Sequence, residues 1–372
     1  MRAKAQGVYM KDGIQVHQIG IVTAEIAPSP NNPRNSEGTF LELENDEILF
    51  VYSRFKGDSP NDHAFADLAL MRSTDGGRTW TDEGVILTCE GEGGVNMMSP
   101  SLLMMSNGEA GLFYLVRITY SLTRIFLRRS ADGGRTWGER VLCTDQDDFF
   151  VINNDRVVRL ASNRIIVPVA SHRSWGNGSM DSNARAMFFY SDDDGQTWRC
   201  SGSRCAIPYP SNSGLQEPGV VELAPGILWG FARTDLGVQY EMFSVDNGEK
   251  WTASQPSRFT SPCSPLSMRR DIDGKLYAVW NPIPEYNGRR LPGHAFTGGR
   301  TPLVIASSSD NGKTFSAPVA IEMDEESGYC YTAVCFTKDA MLLGYCAGNE
   351  ADGSCLVRTR IRRVKREQLE KI

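Results

Sequence analysis

Apolar positions along the chain come in short runs of strand length. "GTFLEL" (38–43), "EILFVYS" (47–53) and "FADLALMRS" (65–73) follow one another, and "GVILTC" (84–89) closes the set. Such runs, alternating or continuously apolar and punctuated by Gly, Asn, Asp and Ser, are the pattern of β-strands with one or both faces buried. Helical periodicity is nearly absent until the terminal "RRVKREQLEKI", which is short and highly charged. The pattern predicts an all-β protein.

The polar punctuation repeats. "STDGGRTW" starts at 73, "SADGGRTW" at 130, "SDDDGQTW" at 191, "SVDNGEKW" at 244 and "SSDNGKTF" at 308, so 57, 61, 53 and 64 residues separate the starts. The first three octets fit S-x-D-x-G-x-T-W, the fourth has Lys250 for the Thr and the fifth Phe315 for the Trp, and each has a physical role that needs no substrate. The Asp carboxylate accepts backbone N–H bonds inside a tight turn, and the Gly supplies the positive φ. The closing Trp or Phe is an apolar surface expected to pack against the next repeat. The first set gives four strands per repeat, with the box at the turn between the third and fourth. Further sets lie near 99–143, 153–205, 216–257 and 262–320. A last set, "YCYTAVCF", "AMLLGYC" and "CLVRTRIRRV", lacks a box. Four-stranded antiparallel units repeated in a ring form a β-propeller. The prediction is a single six-bladed propeller over 1–372 with five boxed blades, closed by an N-terminal strand near 14–23 in "GIQVHQIGIVTA".

Bulk properties narrow the function. A length of 372 residues would suggest two or three domains, but the repeat absorbs it into one. The formal net charge of −6 runs opposite to that of a nucleic-acid binder, so no such partner is expected. No run reaches the apolar length of a membrane span. The two early basic residues have no apolar stretch behind them, so the expectation is a cytoplasmic protein, or a secreted or periplasmic one if a leader is removed. Nine cysteines without C-x-x-C spacing and four histidines without H-E-x-x-H give no reason to expect a metal or other cofactor.

Propeller topology locates the chemistry. The third-to-fourth strand turns, with their boxes, lie where the inner strands end. Starts of inner strands, ends of second strands and second-to-third loops share the opposite face. Those positions hold Arg34 and Glu37 in "PRNSEG", and Arg54, Asp58, Asp62 and Asp67 in "SRFKGDSPNDHAFAD". They also hold Asp155 and Arg156 in "NNDR", Glu217 in "LQEPGVVEL", Arg233 in "LWGFART", Arg300 in "GGRTPLVIA", and Tyr329 and Tyr331 in "SGYCYTAV". Several guanidinium forks around one hole suit an anionic small ligand, because each can grip a carboxylate in a bidentate way. Asp155 and Arg156 either pair with each other or meet ligand. His172 and Trp175 either line the pocket or sit on a surface loop, and Trp280 and Tyr286 either stack on a sugar or anchor the fifth-blade loop.

With these boxes and rim motifs the sequence resembles the sialidase (neuraminidase) superfamily, in particular its exo-α-sialidases, over nearly the whole chain. The resemblance implies a six-bladed propeller and a retaining exo-glycosidase that hydrolyses a terminal sialic acid or related acidic sugar of a glycan or glycoconjugate. "QEPGVVELAPGILWGFART" is similar to the segment carrying the family's Glu and second triad arginine, which implies those roles for Glu217 and Arg233. Arg300 in "RTPLVIASSSDNGKTF" resembles the third triad arginine, and Asp62 in "DHAFADLALMRSTDGG" the acid/base. Arg54 is similar to an arginine that helps hold the sugar. Tyr331 fits the nucleophile best, with Tyr329 its close rival. A neutral phenol avoids the repulsion that a carboxylate nucleophile would meet at an anomeric carbon bearing a carboxylate, and sialidases are a known exception to the two-carboxylate scheme. Glu217 would then be the partner base, and the pKa of Asp62 should rise toward neutral.

One motif departs. The first triad arginine normally stands in Arg-Ile-Pro, whereas "RNSEGTF" has Asn35 and Ser36 after Arg34, and Glu37 three residues on. A carboxylate there opposes an acidic substrate unless an arginine pairs with it, which leaves the sugar open between sialic acid and another acidic sugar. Two other classes share the scaffold: a non-catalytic glycan- or protein-binding propeller, and a propeller-type polysaccharide lyase with a Tyr base and an unsaturated, ultraviolet-absorbing product. A binding module has no reason to gather Asp62, Glu217 and a tyrosine in one pocket.

Overall fold

The computed structural model describes residues 9–11, 14–16, 19–174, 180–283 and 296–372. Its strands form six sheets, each predominantly a four-stranded antiparallel meander, arranged as the blades of a propeller. Blade 1 runs Asn35–Glu42, Ile48–Phe55, Ala66–Ser73 and Thr81–Leu87 from the axis outward. Blade 2 runs Asn96–Met104, Ala110–Thr119, Leu122–Ser130 and Val141–Leu142. In blade 3 the inner edge is split into Phe149–Val151 and Val158–Arg159, both paired to Ile165–His172, with Arg185–Ser191 and Arg199–Cys200 outside. Blade 4 is Gln216–Ala224, Ile227–Arg233, Val238–Ser244 and Gln255–Thr260. Blade 5 is Ser267–Arg270, Leu276–Trp280, Leu303–Ser308 and Val319–Glu322.

Blade 6 joins the two ends of the chain. Cys330–Phe336, Ala340–Cys346 and Thr359–Lys365 supply its inner strands, and Ile21–Ile26 pairs antiparallel with Thr359–Lys365 as the outermost one. The N-terminal strand of this blade therefore begins later than the expected 14–23. Ile14–Val16 instead extends blade 5, where Gln15 pairs in parallel with Val319.

Six apolar cores fill the clefts between neighbouring blades. Leu49, Val51 and Leu70 of blade 1 meet Leu112, Tyr114 and Phe126 of blade 2, and Phe40 and Phe50 close the ring against Leu342 and Ile361 of blade 6. Because each blade is covered on both faces, the middle strands read as nearly unbroken apolar runs, and every residue of Ala66–Ser73 is buried.

The boxes act as staples between blades. In the first, the Asp75 carboxylate accepts the backbone N–H of Arg78 and of Thr79, each at 2.9 Å, and Ser73 Oγ accepts from Gly77 N at 2.9 Å. In the fifth, hydrogen bonds from the hydroxyl and backbone N–H of Thr314 hold Asp310 down to about 2. The packing runs backward, to the preceding blade and not to the next one. A Cβ on Gly77, whose φ is 79°, would lie 2.8 Å from Leu342 of blade 6. Trp251 of blade 4 stacks on Phe188 of blade 3 at 3.9 Å. The right-handed twist carries each outer turn over its predecessor.

Candidate active site

The inner strands of four blades share one irregularity, on the face opposite the boxes. Glu37 (φ 56°), Ser99 (55°), Glu217 (51°) and Tyr331 (57°) are left-handed although none is glycine. Each falls within a register shift near the start of its strand, between Ser36 and Thr39, Met98 and Ser101, Gln216 and Gly219, or Cys330 and Ala333. Asp155 (58°) stands between the two inner segments of blade 3. A non-glycine residue in this region costs about 1–3 kcal/mol, and bulges re-aim side chains. Here the bulges turn side chains of separate blades into the mouth of the channel.

Tyr331 and Glu217 meet there. The phenol donates to Glu217 Oε1 at 3.2 Å, and Arg233 Nη1 lies 3.2 Å from both Tyr331 Oη and Glu217 Oε2. Gln216 Oε1 accepts from Arg233 Nε and Nη2 at 3.1 and 2.8 Å, which fixes the plane of the guanidinium. Arg300 lies over the Tyr331 ring, 5.5 Å from its centre, and donates to Cys330 Sγ at 3.4 Å and Cys355 Sγ at 3.7 Å. Burial and the Glu217 carboxylate push the Tyr331 phenol well above its ordinary pKa, against the pull of Arg233 and Arg300, so it carries its proton at neutral pH.

Arg34 and its carboxylates form the second group. Arg34 is 2 % exposed, with Phe55 stacked on its guanidinium at 4.5 Å. It donates from Nε to Ser36 Oγ at 2.8 Å, from Nη1 to Asp62 Oδ1 at 2.5 Å and from Nη2 to Glu37 Oε1 at 2.9 Å. The other Glu37 oxygen accepts from Ser99 Oγ at 2.7 Å. Burial lifts Glu37 to about 7 even with Arg34 beside it. Asp62 behaves in the opposite way to the expected rise. Burial would raise its pKa, but the charge and hydrogen bond of Arg34, with Arg117 and His63 behind, bring it below the ordinary value.

Other expected site residues lie elsewhere. Tyr329 points into the core between blades 5 and 6, 1 % exposed and with its ring 6.2 Å from that of Tyr345. Arg54 projects toward the outer strand of its own blade and pairs with Asp82 at 3.4 Å. Asp155 and Arg156 do not pair. Asp155 crosses the channel to Arg269 at 2.6 Å and accepts from Thr39 Oγ1 and Val334 N at 2.9 and 3.0 Å. Arg156 is buried, donates to the Leu266 carbonyl at 2.7 Å and is depressed to about 10 by burial. His172 is buried against Phe149 with Nδ1 on the Asp181 carbonyl at 2.8 Å, and Trp280 packs on Phe259 at 5.1 Å. Trp175 and Tyr286 lie outside the described residues.

Sequence reasoning missed the thiols around Arg300, the Gln216 brace and Arg117. Gln216 had a signal, its place directly before Glu217. Among the described residues, Asp67, Cys89 and Glu90 bring three potential ligand atoms together, and the Lys56 ammonium, 3.2 Å from Asp67 and 2.8 Å from Glu90, supplies a cation there. No helix among them is long and apolar enough to cross a membrane.

A family model described as a BNR repeat-like domain matches residues 52–343. The chain belongs to this family. Its propeller and its relatives are those of the sialidase superfamily. It is 23 % identical over 244 residues to a sialidase of Clostridium perfringens, covering 58 % of this chain and 60 % of that protein. It is 21 % identical over 357 residues to a sialidase of Bacteroides fragilis, covering 88 % of this chain and 61 % of that one. It therefore spans about three-fifths of the length of these curated relatives. The Trypanosoma rangeli sialidase in complex with sialic acid superposes with a TM-score of 0.70 at 14 % identity, over 95 % of this chain and 59 % of that one. At that identity the likeness is one of fold.

Proposed function

We propose that the protein is a retaining exo-glycosidase that removes a terminal sialic acid, or a related sugar with a carboxylate at the anomeric carbon, from a glycan or glycoconjugate. The observation that carries this reading is the 3.2 Å contact between the Tyr331 phenol and Glu217, braced by Arg233. A phenol needs a base to act as a nucleophile at neutral pH. In the first step Tyr331 Oη bonds to the anomeric carbon while its proton passes to Glu217 Oε1. Asp62 protonates the leaving oxygen. In the second step water, deprotonated by Asp62, displaces the phenol, which recovers its proton from Glu217. Arg233 and Arg300 hold the substrate carboxylate. Arg300 is suited to this because, among the described residues, its side-chain partners are thiols, which leave its charge largely uncompensated.

Arg34 is the third clamp, and in the free protein two carboxylates occupy it. A substrate carboxylate reaching Arg34 competes with Asp62 for the guanidinium. Released, Asp62 loses the partner that keeps its pKa low, and so takes up the proton that a general acid needs.

The test is release of the phenol from an aryl α-sialoside, with uronides and other acidic aryl glycosides beside it. Turnover that Tyr331→Phe abolishes supports the reading. Turnover only on another acidic glycoside keeps the mechanism and changes the sugar. A product absorbing in the ultraviolet identifies a lyase, and no turnover on any glycoside points to a binding propeller.

A further inference from the structure

Three cations at this mouth have an anionic partner: Arg34 has Glu37 and Asp62, Arg233 has Glu217, and Arg269 has Asp155. Arg117 is different. It lies near the end of the second strand of blade 2 and is 8 % exposed. Its Nε and Nη1 are sealed from solvent without a partner, and among the described residues its guanidinium makes no hydrogen bond and no ion pair. Its cross-strand neighbour Asn96 gives its amide NH2 to the Ala64 carbonyl at 2.7 Å and leaves its own oxygen unpaired. Phe149 stacks on Arg117 at 5.0 Å.

Position gives this orphan charge a direction. Burial lowers the pKa of Arg117, and Asp62 is the carboxylate that acts on it most. His63, the residue after Asp62, is exposed, with its ring 5.8 Å from that of Tyr120. Burial and Arg117 both lower its pKa and Asp62 opposes them, so the imidazole is neutral at pH 7. A buried guanidinium without a counter-ion is costly to hold. Beside it stand the proposed acid and a histidine able to gain charge.

We propose that Arg117 and His63 form an anion subsite on the blade 2 side of Asp62, and that the preferred substrate carries a second acidic group, a carboxylate or a sulfate ester, beyond the carboxylate at its anomeric carbon. The substrate half rests on the glycosidase reading; the anion site does not. An anion held by Arg117 neutralises the charge that represses His63, and His63 then protonates and adds a second contact.

The site is tested first without turnover. His63 is titrated by NMR in sodium sulfate and in sodium chloride of matched ionic strength. Sulfate raises the His63 midpoint in the wild-type protein, Arg117→Met abolishes the rise, and Arg117→Lys keeps part of it. An unchanged midpoint in the wild type, or the same rise in Arg117→Met, overturns the subsite. The substrate half is tested with an aryl sialoside of neutral leaving group, a sialoside whose leaving sugar bears a sulfate ester, and one whose leaving group is a second sialic acid. The ratio of acidic to neutral kcat/KM falls roughly tenfold or more in Arg117→Met, the worth of one charge-assisted hydrogen bond. The two acidic arms tell sulfate from carboxylate. An unchanged ratio in both overturns the substrate half, whereas wild-type inactivity on every sialoside and every other acidic glycoside overturns the glycosidase reading and leaves the His63 titration to decide the site.

Discussion

Arg34 donates to Asp62 across 2.5 Å and, from its other terminal nitrogen, to Glu37 across 2.9 Å. One buried cation thus serves two carboxylates of different character. Asp62 is at the rim, with 62 % of its side chain exposed, while Glu37 is 5 % exposed. On the proposed reading, ligand should replace the first while the second stays in place, and occupation of the clamp should then follow the protonation of Glu37.

Glu37 makes the clamp pH-dependent. Burial raises it from an ordinary value of 4.5 to about 7. The folded protein thus holds an extra proton between those values, and the linkage slope is negative: this contribution to stability is full below the unfolded pKa and is lost as pH rises through about 7. Above that pH the ionised Glu37 also competes for Arg34. KM for an acidic substrate should rise as pH passes through about 7, and Glu37→Gln should flatten both that rise and the fall in melting temperature. A KM profile identical in the variant would show that Glu37 does not govern Arg34.

Asp62 is expected to matter in proportion to the leaving group. An acid that protonates the departing oxygen contributes about 10²–10⁴ in rate for a poor leaving group and much less for an activated phenol. Asp62→Asn should therefore lose about 10²-fold or more in kcat on a sialyl disaccharide and far less on a dinitrophenyl sialoside. Equal losses on both would assign Asp62 to binding alone.

The ring of blades was legible in the chain because its determinants are local. Strand-length apolar runs and five turn motifs at near-constant spacing each report one blade, and the third-to-fourth strand turn followed from where the boxes fell. What the boxes pack against was not local. Twist carries each turn to the previous blade, as the contact of Gly77 with Leu342 shows. The mouth of the channel was legible by rim position for Arg34, Asp62, Glu217, Arg233, Arg300 and Tyr331. Position could not separate Tyr331 from Tyr329, since the left-handed backbone at Tyr331 decides which phenol meets Glu217. Nor could it show that Asp155 would find Arg269 from another blade.

Asp155 fastens strands across the channel through Arg269, Thr39 and Val334, and that has a measurable consequence. Asp155→Ala leaves the partly exposed Arg269 guanidinium without its counter-ion and removes the acceptor of Thr39 and Val334. Breaking a fully buried pair on one side costs about 3–5 kcal/mol, and the partial exposure of Arg269 places this loss below that range. The denaturation midpoint should fall accordingly, and Asp155→Leu combined with Arg269→Met should recover much of the loss. KM of the folded fraction should change by less than about twofold, because one pair deep in the channel touches none of the clamp arginines. A large KM effect with an unchanged midpoint would return Asp155 to the ligand site.

Tyr331 and Glu217 should behave as one unit. If the phenol attacks and the carboxylate takes its proton, removing either partner disables the same step, and removing both adds little. Glu217→Gln and Tyr331→Phe should each lower kcat by about 10³-fold or more on an activated aryl sialoside, and the double variant should fall no further than the worse single one. Arg233 sharpens the distinction. With Glu217 made neutral, Arg233 retains Gln216 as a partner and stays in plane, so KM should move far less than kcat. Losses that multiply in the double variant would mean that the two residues contribute separately, and the 3.2 Å contact between them would then belong to the scaffold and not to the reaction.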